Sequence, residues 1–272
     1  MTQTLAAPVQ IAGRAPEFSD TVRSEWTKMR TLRSTPITLA VTAFIGIGLS
    51  ALITLAVVSN PAHAGADAIN HPLRIIQAGW GLCFLAFEVL GVLVVTNEYS
   101  SGMISETLLA TPRRLRVLMA KVLVFVLLVF VVGEVMSFIN FFVGHAIISA
   151  YPPFPNVALN DNNVLRAVIG QGLDAALIGL IGLSLGAILR HTAGAITASV
   201  AVLFVLPLVL MALPSSWEQP VEEYWPTEAG SQLEQVTRQA HALTAWWGTG
   251  DLVLFVAVLL VIAGFALVKR DA

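Results

Sequence analysis

Three acids stand inside long apolar runs: Glu88, Glu134 and Asp174. An ionised Asp at the centre of a membrane-spanning helix costs on the order of 2.5–3.5 kcal/mol on insertion scales. Each acid therefore needs a hydrogen-bond partner or a wet cavity. In one reading they line a polar substrate path or a proton-sensitive gate. In the other they bond to a neighbouring helix, with Asn140, Gln171 and Ser184 as available partners. At 1.5 Å per residue, Glu88 lies ~15 Å along its helix from Glu98, and Asp174 ~24 Å from Arg190. Asp174 is thus placed in the half of the bilayer remote from Arg190, with Glu88 and Glu134 nearer the middle.

Other chemistry does not show in the sequence. The three lysines are Lys28, Lys121 and Lys269, and none follows a glycine, so there is no GxxxxGK[ST] loop to hold ATP phosphates. His63, His71, His145, His191 and His241 have no metal-ligand spacing, and no HExxH occurs. A GxSxG nucleophile elbow is also missing. Cys83 is the only cysteine, which excludes a disulfide scaffold and a CxxC site. No catalytic residue, metal or cofactor is expected in this chain.

Composition sets the elements that must position the acids. The chain is 56% hydrophobic and 12% charged, with mean hydropathy +0.79; a soluble domain carries about twice that charged share. Crossing ~30 Å of hydrocarbon takes about 20 apolar residues. Six segments meet or approach this: 37–58, 75–96, 122–149, 167–189, 195–213 and 252–268. The third is too long for an upright helix and is expected to tilt, break or project. Pro207 is expected to kink the fifth, and Gly182 and Gly186, with Gly179 a turn earlier, form a small-residue stripe for close helix packing on the fourth. An Ala62-His63-Ala64 sequence resembles a signal-peptidase site. The apolar run before it is of full spanning length with about 35 residues ahead of it, so the first span is retained.

Basic residues orient the bundle. Arg14, Arg23, Lys28, Arg30, Arg33, Arg113, Arg114, Arg116, Lys121, Arg190, Lys269 and Arg270 fall on one side. Only Arg74, Arg166 and Arg238 fall on the other, which collects Glu218, Glu222, Glu223, Glu228 and Glu234. Twelve against three predicts a multi-pass protein of the cytoplasmic membrane with both termini in the cytoplasm. These basic stretches adjoin spans, so they do not argue for nucleic acid.

Between the spans, Phe18, Val22, Trp26, Met29 and Leu32 recur at helical spacing. This predicts a basic amphipathic helix over 19–34 lying in the membrane interface, an elbow before the first span. In 97–121, Ser100-Ser101-Gly102 ends the second span. Met103, Ile104, Leu108 and Leu109 then form the apolar face of a short helix that Pro112 terminates. Exposed apolar residues in the cytoplasm should dock, on a partner or on the chain's own bundle. On the far side, 213–251 carries Trp217, Tyr224, Trp225, Trp246 and Trp247, aromatic residues that favour headgroup level. Short helices capping the bundle, or a plain exposed loop, fit it equally.

In this order the elements resemble the ABC-2 type permeases of ABC exporters, over nearly the whole chain. The resemblance rests on Ser24-Glu25-Trp26-Thr27-Lys28, on Asn97-Glu98-Tyr99-Ser100-Ser101-Gly102, on Leu108-Leu109-Ala110-Thr111-Pro112-Arg113-Arg114-Leu115-Arg116-Val117 and on Ala120-Lys121. Tyr224-Trp225-Pro226-Thr227-Glu228-Ala229-Gly230 and Lys269-Arg270-Asp271-Ala272 add to it. Met103 stands where the family often has Thr, a mild departure. The resemblance implies two permease chains, here a homodimer, with two copies of a cytoplasmic ATPase that binds ATP and Mg. It also implies a coupling helix over 98–109 docked in a groove of the ATPase, using Glu98, Tyr99, Gly102, Met103, Ile104, Leu108 and Leu109.

The expected fold is an all-α membrane protein. Residues 1–35 form the cytoplasmic arm and elbow helix. Residues 36–272 form the six-span domain, with the coupling loop at 97–121, short outer-side helices in a cap at 214–250, and membrane lipid around it. The expected function is export of a hydrophobic or amphipathic molecule, such as a drug, lipid or peptide antibiotic. An ion-coupled secondary transporter using Glu88, Glu134 and Asp174 is the alternative, although no matching halves with broken helices are visible. A membrane enzyme is disfavoured because no catalytic constellation occurs.

Overall fold

The computed structural model describes residues 17–32, 34–61, 69–104, 107, 113–152, 154–210, 221, 223–238 and 242–269. All regular structure among them is helical. In chain order the helices are α1 (Phe18–Thr31), α2 (Ser34–Ser59), α3 (Pro72–Gln77), α4 (Trp80–Ser100), α5 (Arg114–Ser149), α6 (Val164–Leu189), α7 (Thr192–Val200), α8 (Leu206–Leu210), α9 (Pro226–Ser231) and α10 (Ala245–Lys269). Six segments are long and apolar enough to cross a membrane: α2, α4, α5, α6, Thr192–Val209 (span five) and α10. The chain is an all-α, multi-pass membrane protein.

Span four is the centre. Most of α6 is buried, including Ala175, Ile178, Ile181 and Leu183, because its small residues let α4 and α5 approach closely. A Cβ on Gly182 would overlap the Glu88 carbonyl oxygen, so α4 and α6 touch backbone to backbone. Span three is one unbroken helix of 36 residues, about 54 Å long. It carries the excess length without breaking, and Arg114 and Arg116 stand in its first turn.

Span two departs from the sequence reading, and span five is irregular near the expected proline. The segment read as starting span two at residue 75 is split, with α3 ending at Gln77 and α4 beginning at Trp80. Gly79 lies at the split. Its N–H donates to Ser50 Oγ at 3.1 Å, and a Cβ there would strike Ser50. A split helix releases carbonyls, which in a membrane must find donors within the protein. Asn140 Nδ2 donates to the Ile76 carbonyl at 2.8 Å, and Thr54 Oγ1 reaches the Ile75 carbonyl at 3.4 Å. In span five, Ala201–Val205 widens into a π-turn just before Pro207. The wider turn accommodates a ring that has no N–H to donate.

The remaining elements close the two ends. At the basic end, α1 buries Thr21, Glu25 and Met29, one residue per turn, along α5. Phe18 and Trp26 stay exposed. Arg190 follows α6 in a left-handed conformation (φ 57°), donates to the Ala266 carbonyl at 3.0 Å and lies 5.1 Å over the Tyr99 ring. At the opposite end, α9 packs on α10 and α6. Leu233 is buried just beyond α9, and Gly170 of α6 leaves room for it.

Candidate functional site

The densest polar site is a four-membered ion cluster at the basic end. Lys121, in the second turn of α5, donates from Nζ to Glu25 Oε2 at 2.6 Å and to Glu98 Oε1 at 2.9 Å. Lys28 donates to Glu25 Oε1 at 2.6 Å, to Glu98 Oε1 at 2.9 Å and to Thr107 Oγ1 at 3.2 Å. Glu25, Glu98 and Lys121 are all buried. Two carboxylates thus face two ammonium groups from three elements. Burial alone would lower the Lys28 pKa, but the hydrogen bond to Glu25 and the charges of Glu25 and Glu98 outweigh it and hold the group above its ordinary 10.5. The local sequence explains the arrangement. Glu25 and Lys28 share an α1 face at i, i+3 spacing, and Glu98 ends the span that leads into the segment after Ser100.

The residues expected to dock a partner divide. Glu98 and Tyr99 belong to the last turn of α4 rather than to a separate helix. Glu98 is turned into the ion cluster, and Tyr99 lies under Arg190. Gly102 has φ 74° and is exposed, which bends the chain away from span two. Met103 is 40% exposed, whereas Ile104 is 8% exposed and packed within the chain. Leu108 and Leu109 lie outside the described residues, as do residues 105 and 106 of the expected helix over 98–109.

The three intramembrane acids do not converge. Glu88 is wholly buried at the packing of α4 on α6, with Ser199 of span five beside it. Glu134 is half-buried, and the missing side chain of Gly172 makes room for its carboxyl group. Asp174 is buried beneath the α9 segment, next to Glu234. The polar neighbours proposed for the acids are mostly engaged elsewhere. Asn140 bonds Ile76, and Ser184 bonds the Leu180 carbonyl. Gln171 accepts from Ser137 at 2.9 Å and also lies against Glu234.

In the sequence, Lys28 and Lys121 stand out as orienting charges and as members of the elbow and span-three motifs, and Glu234 as one of the acids on the far side, none of them as a site residue. The signal for the ion cluster was present: Lys121 opens an apolar run, and a cation at that depth needs anions at the same level. Glu234 carried no such signal, because its burial depends on how the segment after α9 folds back onto α6. There, burial first and the charge of Asp174 second raise its pKa well above the usual carboxylate value. Two adjacent carboxyl groups bond each other only when one keeps a proton. Among the described residues, no three His, Cys, Asp or Glu side chains converge to hold a metal. Comparison with protein-family models and with curated proteins finds no match for this chain.

Proposed function

We propose that this chain is the membrane-spanning permease subunit of an ATP-driven ABC exporter, working as a homodimer with two copies of a separate cytoplasmic ATPase. The observation that carries the reading is the Glu25–Lys28–Glu98–Lys121 cluster. It ties α1, the end of span two and the start of span three into one unit next to the segment after Ser100. A force applied to that segment would then move two spans together instead of bending a loop. That is what coupling to a nucleotide-driven partner requires.

Other features agree with it. The exposed Phe18 and Trp26 suit α1 to an elbow lying in the membrane interface. Basic residues gather at that end, which supports a cytoplasmic placement for it and for both termini. Span five is only 11% buried over its apolar window, leaving a face for a second copy. ATP and Mg would bind to the ATPase, and the cargo would be hydrophobic or amphipathic. The test is affinity purification of the chain from its native membrane, with mass spectrometry and ATP hydrolysis measured on the product. A chain that purifies as a complex with a P-loop ATPase supports the reading. A chain that purifies alone, without ATP hydrolysis, overturns it.

The adjacency of Asp174 and Glu234 favours one second reading, an ion-coupled secondary transporter using Glu88, Glu134 and Asp174. Uptake into vesicles driven by a proton gradient without ATP would select it.

A further inference from the structure

Beneath α9 lies a cleft of about 380 Å³ between spans two, four and five, within the size range of small-molecule sites. Phe84, Ile178, Phe204 and Leu208 supply apolar walls, while Asp174 and Glu228 supply the acids. No basic side chain is among its lining residues. Asp174 is 1% exposed, and among the described residues no N–H, hydroxyl or cationic group donates to either of its oxygens; its polar neighbour is the carboxyl group of Glu234. On the cap side, Arg166 is turned to the Gln232 and Gln235 carbonyls at 3.4 and 2.7 Å.

A buried carboxylate in an apolar cleft calls for a counter-charge. The neighbouring Glu234 can satisfy it only by donating a proton. We infer that this cleft binds an organic cation carrying apolar groups, with the Asp174 carboxylate as its counter-ion. The apolar walls take up the hydrophobic body, and the aromatic rings of Phe84 and Phe204 in the lining can favour positive charge over neutral or negative ligands. Glu228, exposed at the rim, adds negative potential at the mouth. Binding at this cleft stands apart from the transport reading. That the bound cation is the exported cargo rests on that reading.

The probe is tetraphenylphosphonium, with tetraphenylborate as an oppositely charged counterpart of similar shape. Equilibrium binding is measured on the full chain in lipid nanodiscs without any ATPase, so its failure leaves the ATPase-partner reading standing. The parent chain should bind the cation saturably, and tetraphenylborate, measured in separate samples, should show no saturable binding. Asp174→Asn should weaken binding about tenfold or more, as expected when a charged partner is lost. Ser231→Lys, which sets an ammonium group in the lining, should abolish binding without touching the packing of α6. If Asp174→Asn does not yield folded protein, Ser231→Lys decides alone. Non-saturable uptake of the cation, equal binding in parent and Ser231→Lys, or saturable binding of tetraphenylborate to the parent overturns the site.

Discussion

Lys121 Nζ lies 2.6 Å from Glu25 Oε2 across 96 residues of sequence, and both side chains are almost completely removed from solvent. Removing one partner of such a pair leaves a buried charge uncompensated, at a cost of ~3–5 kcal/mol. Lys28 touches the same two carboxylates but is 24% exposed at its side chain, so water can replace part of what it provides. Lys121→Met is therefore expected to destabilise the chain by about 3–5 kcal/mol and Lys28→Met by distinctly less. Thermal unfolding of both variants in the same detergent checks the order. Equal losses would mean that Lys28 and Lys121 are interchangeable and that burial does not set their weights.

The basic bias predicts that Ser101 faces the cytoplasm and that Asn70 and Thr237 face outward. All three are exposed, and the one native thiol, Cys83, is buried. Background labelling of the parent should accordingly be low. Single cysteines at Asn70 and Thr237 should react with a membrane-impermeant maleimide in intact cells, and one at Ser101 only after the cells are opened. Labelling of Ser101→Cys in intact cells would invert the topology.

What could be read beforehand was whatever depends on local composition. Six apolar runs became six spans because a helix is the only way to satisfy their backbone in lipid. Pro207 was a local cause of the irregular turn in span five. Gly182 marked the face on which α4 and α6 meet. The split at Ala78–Gly79 was not legible, because it depends on Ser50, Thr54 and Asn140 arriving from two other helices to satisfy the freed groups. Glu98 was read as a surface residue of a short helix, since sequence could not show Lys28 and Lys121 meeting it from both sides. Long-range polar partners are fixed by packing, and packing is not periodic.

Met103 is the exposed apolar side chain left in the described part of the segment after span two, Ile104 being packed away. If an ATPase docks there, Met103→Asp should set a carboxylate into the contact while leaving the bundle unaltered. The expected result is loss of ATPase co-purification by tenfold or so, corresponding to about 1.4 kcal/mol, with normal membrane insertion and thermal stability. Ile104→Asp, by contrast, should destabilise the chain itself. A Met103→Asp chain that retains the ATPase at parental levels would remove this residue from the contact.

Glu234 makes stability depend on pH. Its pKa in the fold is raised well above the ordinary 4.5 by burial and by Asp174, so the folded chain binds more protons than the unfolded chain once pH passes that value. Stability then falls as pH rises, by up to about 1.4 kcal/mol per pH unit for one proton. The contribution is fully present below the unfolded value and is lost as pH climbs through the folded one. Glutamine resembles the protonated acid and cannot ionise, so Glu234→Gln should match the parent near pH 4. Above that it should become progressively the more stable of the two, with the gap levelling off once the parent's carboxyl has titrated. Melting temperatures of parent and variant, taken in one detergent from pH 4 to 9, measure that gap. An Asp174→Asn background should narrow it by removing the second acid. A gap that stays flat with pH, or in which the parent gains as pH rises, would show that Glu234 is not held protonated beside Asp174.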